Sequence, residues 1–192
     1  LAGNALKGEC VKKIYQAKGR PSDNPLIVHI SDISQWAPLV KSIPESALAL
    51  AEKFWPGPLT IILPKSDIIP TEISGGLDTV AVRMPSDEIA RAIISQCGFP
   101  LAAPSANTSG KPSPTCASHV TEDLDGKIDA IVFGDECDVG VESTVVSFCC
   151  NPPRVLRPGA VTVEDLKEII PDIAVDKAVL AEPSKGAKVE SP

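Results

Sequence analysis

The stretch AKGRPSDNPLIVHI (residues 17–30) carries the chain out of a helix, through a polar turn and into an apolar strand. The helix is predicted over residues 7–17, because apolar residues recur there at helical spacing before Gly19. The strand is predicted over residues 26–30, where almost every side chain is apolar. A helix that leads through a short turn into a buried strand is typical of an α/β domain.

The same alternation continues along the chain to about residue 170. Further strands are predicted at residues 59–63, 79–85, 100–103, 128–133, 142–148 and 154–158, and further helices at 46–54, 87–94, 116–124 and 163–170. Ser86 is the predicted N-cap of the 87–94 helix, and Thr162 with Asp165 forms a capping box before the last helix. Apolar strands interleaved with helices predict one layered α/β domain with a largely covered sheet.

Composition narrows the class of protein. The 192 residues, 43% of them hydrophobic, suffice for one domain with its own core. Eighteen basic against 25 acidic residues give a net charge of −7, which argues against the dense cationic surface that binds a nucleic-acid backbone. No apolar run is long enough to cross a bilayer. The six cysteines lack CxxC spacing, so a zinc site is not indicated, and scattered thiols favour a reducing, cytoplasmic setting.

Four groups of polar residues stand at the ends of predicted strands or in turns. They are Lys18, Arg20, Asn24 and His29; Thr79 and Arg83; Ser105, Asn107 and Ser113; and Ser143 with Arg157. In open α/β sheets, ligands bind where strand ends and loops converge. Cations combined with hydroxyl and amide donors form a phosphate-binding set. No GxxxxGK[ST] or GxGxxG motif is present, so a nucleotide site of either of those types is excluded.

Each group also has a purely structural explanation. Lys18 and Arg20 fit cations at a helix C-terminus, which complement the helix dipole, and taken alone that explanation is the stronger. Arg83 stands in an apolar strand, where a charge is costly unless it is paired, and an acidic neighbour explains it as well as a bound anion does. His29 at a strand end is more often structural than a ligand. The segment PSANTSGKPSP (104–114) has residue types that suit any turn.

Six motifs nevertheless occur together in one order. They are KGRPSDNPLIVHI (18–30), FWPGPLTIILP (54–64), TVAVRMP (79–85), PLAAPSANTSGKPSPT (100–115), GVESTVV (140–146) and VLRPGAVT (155–162). In this order and spacing they resemble the YrdC-like family over nearly all of residues 1–170. The resemblance implies an α/β fold with a twisted, open mixed sheet and flanking helices.

The resemblance also implies an activity. Such enzymes join L-threonine, bicarbonate and ATP into threonylcarbamoyl-adenylate and release pyrophosphate, with Mg²⁺ on the phosphates. A partner transferase then moves the threonylcarbamoyl group to adenosine 37 of tRNA. The chain is therefore expected to be a cytoplasmic nucleotidyltransferase of tRNA processing. Its net charge of −7 argues against direct tRNA binding.

The family's functional residues fall on matching positions of this chain. The catalytic set falls on Lys18, Arg20, Ser105 and Asn107. The ATP contacts fall on Arg20, Asn24, Thr79, Ser105, Ser113 and Arg157. The threonine contacts fall on His29, Arg83, Ala103 (through its backbone) and Ser143. No metal ligand is assigned to the protein. Loss of Lys18 or Arg20 is expected to cripple adenylate formation and leave the fold in place, since both lie at the turn that serves the phosphates.

The resemblance divides the chain into a catalytic domain, residues 1–171, and a linker, residues 172–192, toward an absent C-terminal domain. Relative to the family, the catalytic domain lacks an entry strand and a Pro-Thr-x-Thr-x-Tyr-Gly-Leu segment, so the chain alone is expected to be close to inactive. The tail from about residue 174 is expected to be mobile or loosely laid on the surface.

Two other functions fit the same residues. The related domain of the hydrogenase-maturation carbamoyltransferase makes carbamoyl-adenylate, although no CxxC element of that protein's zinc-finger module occurs here. The non-enzyme alternative is an RNA-binding module, because members of this family have been linked to RNA.

Overall fold

The computed structural model describes residues 1–19, 22–134 and 142–180. The strands in these residues are β1 (Gly3–Asn4), β2 (Ile27–His29), β3 (Leu59–Pro64), β4 (Thr79–Arg83), β5 (Leu101–Ala102), β6 (Thr144–Ser147), β7 (Arg154–Arg157) and β8 (Ala174–Val175). The helices are α1 (Gly8–Lys18), α2 (Glu45–Phe54), α3 (Thr71–Ser74), α4 (Glu88–Cys97), α5 (Ala117–Leu124), α6 (Val163–Lys167) and α7 (Lys177–Leu180). Short 3₁₀ turns span Ile33–Gln35 and Ala37–Leu39.

The described strands form one sheet in the order β1-β5-β2-β4-β3-β6-β7-β8. The pairs β2–β4, β3–β6 and β7–β8 are parallel. The pairs β1–β5, β2–β5, β3–β4 and β6–β7 are antiparallel. The predicted α/β fold with a twisted, open mixed sheet and flanking helices is therefore confirmed.

The core covers one face of this sheet. Alternate residues of β3 (Leu59, Ile61 and Leu63) are at most 1% exposed, and Leu50 of α2 is fully buried with them. Side chains also alternate along β2 and β4. In these two strands the side chains that face away from the core are only half-buried. The sheet thus has a core face and an open face, and the open face is available for a ligand.

The start of α4 corrects one prediction. Ser86 was the predicted cap, but the N-cap is Asp87, whose carboxylate accepts a hydrogen bond of 2.6 Å from the backbone N–H of Ala90. Both residue types are good caps, so the local sequence does not distinguish them. The capping box of Thr162 and Asp165 at α6 is confirmed.

Replacing Asp87 with alanine is expected to lower the free energy of unfolding by about 1 kcal/mol, because the N–H of Ala90 loses its partner. The matched change Ser86→Ala, at an exposed residue outside the helix, should stay within about 0.5 kcal/mol of the parent protein. Urea unfolding of both variants measures the difference. Equal losses from the two changes would contradict the assignment of the cap.

Two further predictions need correction. The strand predicted at residues 128–133 does not form in the described structure, and Val132 and Phe133 are 64% and 67% exposed. Its apolar pattern is typical of a strand, but a strand also needs a neighbour to pair with. The tail expected to be loose from residue 174 instead begins with β8 on β7, next to the buried Ile173. Residues 181–192, the rest of that tail, lie outside the described residues.

The described helices include none that is both long enough and apolar enough to cross a lipid bilayer.

Candidate functional site

The candidate site lies on the open face of the sheet, along β2 and β4. In β4, Val80 and Val82 enter the core, so Thr79, Ala81 and Arg83 share the open face. Thr79 and Arg83 are four positions apart, which is about 13 Å along a strand. The site therefore has two ends, and the residues predicted from sequence divide between them.

At one end, the carboxyl termini of β2 and β4 place His29 directly beside Arg83, because the two strands run parallel with these residues in register. Ser143 precedes β6, which begins level with the start of β3, and Arg157 pairs with Val145 of β6. We call His29, Arg83, Ser143 and Arg157 the carboxyl-end cluster. Apart from Ala103, it holds all the predicted threonine contacts, together with one predicted ATP contact, Arg157.

Arg83 is the half-buried cation of this cluster. Its Nε donates a 3.0 Å hydrogen bond to the carbonyl of Gly57, and none of the ion pairs between described residues includes it. Burial, and after it the positive charge of Arg157, lower the pKa of Arg83. Of the two explanations for a charge in this strand, an acidic neighbour is not found among the described residues. That Arg83 binds an anionic ligand stays a prediction.

Ser143 is held by contacts on both sides. Its side chain is buried, with Oγ 2.8 Å from Oγ1 of Thr60, while Arg157 donates through Nη2 to Oγ and through Nε to the carbonyl, each at 3.0 Å. The remaining guanidinium nitrogen of Arg157 bonds the exposed carboxylate of Glu142. Arg157 therefore serves first to hold Ser143 in place, a role that the sequence did not indicate.

Gly159 makes this arrangement sterically possible. A Cβ at this position would lie 2.4 Å from the carbonyl oxygen of Glu142 and 2.5 Å from the backbone nitrogen of Thr144. Both contacts are too short for any side chain, so only glycine lets the segment after β7 pass so close to Ser143. This crowding explains why the segment VLRPGA (155–160) has a glycine at position 159.

At the other end, Lys18 lies in the last turn of α1 and is 3% exposed. Its Nζ donates to the carbonyl oxygens of Ser105 (2.5 Å) and Asn107 (2.7 Å) and lies 3.3 Å from Oδ1 of Asn107 and 3.5 Å from Oγ of Ser105. We call Lys18, Ser105 and Asn107 the loop cluster. Lys18 thus binds the loop that carries the other two, instead of simply capping its own helix.

The other predicted residues fall around these clusters. Asn24 is exposed, and its carbonyl accepts a 2.6 Å hydrogen bond from the Tyr15 hydroxyl. Ala103 donates its N–H to Ile27 at the edge of β2, and Ser113 is exposed on the loop after Asn107. Arg20 lies outside the described residues.

A separate cavity of about 940 Å³ lies between α1, α5 and the segment 126–132. None of the predicted site residues lines it. The candidate site is therefore the open sheet face and not this cavity.

Three site residues escaped the sequence-based prediction. Thr60 is a polar residue in the apolar strand β3, Gly159 follows β7, and Asp123 lies in α5 against the loop of Asn107. Thr60 and Gly159 are conspicuous in the sequence, because Thr60 is a polar residue in an apolar strand and Gly159 is a glycine just after a strand. Asp123 is not conspicuous, because it stands among other polar residues of its helix.

His29 gives the site a pH dependence. Its Nδ1 lies 3.2 Å from the carbonyl of Ile27, which makes Nδ1 the protonated nitrogen of the neutral ring. Burial, followed by the charge of Arg83, lowers the pKa of His29 to about 4. The unfolded chain, with a histidine pKa near 6.5, therefore binds the extra proton first as the pH falls.

We expect the free energy of unfolding to fall as the pH drops from about 6.5 toward about 4, by at most about 1.4 kcal/mol per pH unit from this residue. Urea unfolding between pH 5 and 6.5 avoids the range where carboxylates titrate. His29→Gln should flatten the dependence, whereas His119→Gln, a change at the exposed second histidine, should not. An unchanged slope in His29→Gln would contradict the assignment.

The chain is similar to known proteins in both sequence and fold. The model of the family of Sua5, YciO and YrdC, described as "Telomere recombination", matches residues 1–159. A threonylcarbamoyl-AMP synthase of Pyrococcus abyssi is 53% identical over 188 residues, which are 98% of this chain and 55% of that protein. One of Bacillus subtilis is 54% identical over 180 residues, 93% of this chain and 52% of that protein.

Structural similarity points to the same relatives as sequence similarity. The crystal structure of P. abyssi Sua5 complexed with L-threonine superposes with a TM-score of 0.91 at 53% identity, covering 97% of this chain and 55% of that one. The chain spans about half the length of the curated relatives it matches.

Proposed function

From the premise that this chain belongs to the family of Sua5, YciO and YrdC, we propose that it forms L-threonylcarbamoyl-adenylate from L-threonine, bicarbonate and ATP. The observation that carries the proposal is Arg83, a half-buried cation with no acidic partner among the described residues, in a cluster with Ser143 and His29. An amino-acid carboxylate is the anion that this cluster suits best.

In this proposal the carboxyl-end cluster binds threonine. The Nη atoms of Arg83 pair with the carboxylate as a two-pronged donor. Ser143, which Arg157 holds in place, offers its hydroxyl to the amino acid, and His29 presents its unprotonated Nε2 as an acceptor. We keep the backbone of Ala103 among the threonine contacts on the strength of the family motif, and since its N–H donates to Ile27, the carbonyl is the group it offers.

The loop cluster would then receive the ATP phosphates. Lys18 supplies a positive charge, Ser105 and Asn107 supply a hydroxyl and an amide, and Thr79 and Asn24 stand at the same end of the sheet. We place Arg20, Ser113 and Arg157 among the ATP contacts on the strength of the family motif. The 13 Å separation of the two ends along β4 leaves room for a nucleotide beside an amino acid.

The chemistry requires no covalent nucleophile. The threonine amine condenses with bicarbonate to form a carbamate and releases one water. A carbamate oxygen then attacks the α-phosphorus of ATP, and the bond to the leaving pyrophosphate breaks. Two anions must meet, so the protein's task is to hold them in line and to offset their charge. In this proposal Lys18 stands at the end assigned to the phosphates, and Arg83 stands at the end assigned to the threonine carboxylate.

We place Mg²⁺ on the ATP phosphates, where it would reduce their negative charge. The described residues contain no group of three or more His, Cys, Asp or Glu side chains that could cage a metal ion.

The test is pyrophosphate release from ATP by the full-length gene product, with mass spectrometry of the adenylate. Release should require threonine and bicarbonate together, and the product should carry both. Release that is independent of threonine would overturn the proposal.

Replacing threonine and bicarbonate with carbamoyl phosphate in the same assay tests the carbamoyl-adenylate alternative. That alternative is not favoured, since the relatives at 53% and 54% identity carry the name of the threonine-using enzyme. A salt-dependent titration with tRNA tests the RNA-binding alternative, which the charge of −7 disfavours.

We further propose that the product passes to a transferase acting on tRNA, in the cytoplasm. The division into a catalytic domain, residues 1–171, and a linker, residues 172–192, also remains a proposal. The pattern of limited proteolysis of the full-length gene product is its test.

A further inference from the structure

Asp123 is a buried carboxylate that the proposed chemistry does not use. It lies near the end of α5 with its side chain 8% exposed. Its Oδ2 accepts hydrogen bonds from the backbone N–H of Thr108 (3.0 Å) and from the Thr108 hydroxyl (3.2 Å). Its Oδ1 bonds Nζ of Lys111 at 2.5 Å. All three donors belong to the short segment that follows Asn107.

That segment in turn holds the side chain of Asn107. The Asn107 amide nitrogen donates to the carbonyl of Lys111 at 2.7 Å and to that of Thr108 at 3.0 Å. With its two hydrogens used in this way, the amide turns its oxygen, Oδ1, toward Nζ of Lys18. The N–H of Ser109 also donates to the backbone carbonyl of Lys18 at 2.8 Å. A continuous series of polar contacts thus runs from Asp123 through residues 108–111 to Lys18.

We infer that Asp123 is a positioning residue for the ATP end of the site, acting through the turn of residues 108–111 on Asn107 and Lys18. This inference rests on the proposed function. The carboxylate is suited to the task because its two oxygens serve three donors, whereas an amide has only one acceptor oxygen. The ion pair with Lys111 offsets its negative charge, so the carboxylate does not repel a bound phosphate.

The pairing also keeps the carboxylate ionised. The hydrogen bond from Lys111, and then that from the Thr108 backbone, lower the pKa of Asp123. The contacts to the turn are therefore retained across the pH range in which the enzyme would work.

The experiment compares Asp123→Asn with Asp125→Asn, a change two residues away at an exposed carboxylate. In the full-length gene product we expect Asp123→Asn to raise KM for ATP about 10-fold while KM for threonine stays within about 2-fold, because threonine is held on the strands. Asp125→Asn should leave both constants unchanged. A general loss of folding would move both constants, so the split between them identifies positioning. Lys111→Arg, which keeps the ion pair, should stay near the parent values.

A second measurement does not depend on activity. Amide hydrogen exchange at Thr108 should accelerate about 10-fold in Asp123→Asn and stay unchanged in Asp125→Asn. If the parent protein makes no adenylate, the proposed function fails while the exchange result still decides whether Asp123 orders the turn. Parent-like KM for ATP together with parent-like exchange at Thr108 would overturn the inference.

Discussion

Arg83→Ala is expected to weaken threonine binding by about 100-fold. A two-pronged, charge-assisted contact to a carboxylate contributes about 3 kcal/mol, which corresponds to a factor of that size. Among the described residues no second cation is placed to replace it, because the nearby Arg157 already bonds Ser143 and Glu142. Calorimetric titration with threonine measures the loss.

The matched control is Thr79→Ala, since Thr79 lies on the same strand and the same face, four residues away. It should weaken ATP binding and leave threonine affinity within about 2-fold. Arg83→Lys keeps the charge but loses the planar fork, so it should fall between the parent and Arg83→Ala. If Arg83→Ala lowers ATP affinity and spares threonine, the assignment of this end of the site is wrong.

Stability gives an independent check on Arg83. Arg83 is half-buried and has no acidic partner in the part of the chain that the structure describes, so burial of its charge costs free energy in the folded state. Arg83→Ala should therefore unfold at the same temperature as the parent or slightly above it. A residue retained for structure would show the opposite effect.

Lys18→Met is expected to reduce adenylate formation by about 1,000-fold, at the upper end of what loss of one charged donor costs. Methionine keeps the apolar stem but leaves the carbonyls of Ser105 and Asn107 without this donor. The loop cluster should come apart as the positive charge disappears. Lys13→Met, on an exposed face of the same helix, is the control and should retain activity.

The structure also changes the expected effect of Lys18 on stability. From sequence, Lys18 is a turn residue whose loss leaves the fold in place. Since its ammonium is buried and satisfies two carbonyls, we now expect the free energy of unfolding to fall by about 2 kcal/mol. Denaturant unfolding distinguishes unchanged stability from this loss. Parent-like stability and activity in Lys18→Met would show that Lys18 only complements the dipole of its helix.

The elements that the sequence predicted well are those with a local signal. The β3 strand is apolar along almost its whole length, and the α6 capping box is formed by two residues three apart, so both were placed nearly correctly. The segment 128–133 has an equally clear apolar pattern. It was misassigned because pairing depends on a neighbour that no local pattern can supply.

The same distinction separates the predicted from the unpredicted parts of the site. Arg83 could be predicted because a charged residue is conspicuous in an apolar strand, and Ser105 because its loop is one of the motifs that resemble the family. The contact of Thr60 with Ser143 joins residues 83 apart, and that of Asp123 with Thr108 joins a helix to a loop. Such contacts depend on the sheet order and on packing, which cannot be predicted from local patterns in a single sequence.

The sheet order has a consequence for how the site forms in time. In the order β1-β5-β2-β4-β3-β6-β7-β8, the strands beside β2 come from much later in the chain, and β3 lies against β6 although some 80 residues separate them. A nascent chain synthesised only as far as residue 140 contains His29 and Arg83 but neither Ser143 nor Arg157. Contacts of such long separation form slowly, after the loops between them have closed. The carboxyl-end cluster can therefore form only after residue 157 has been synthesised, and a shorter nascent chain lacks at least one of its four side chains.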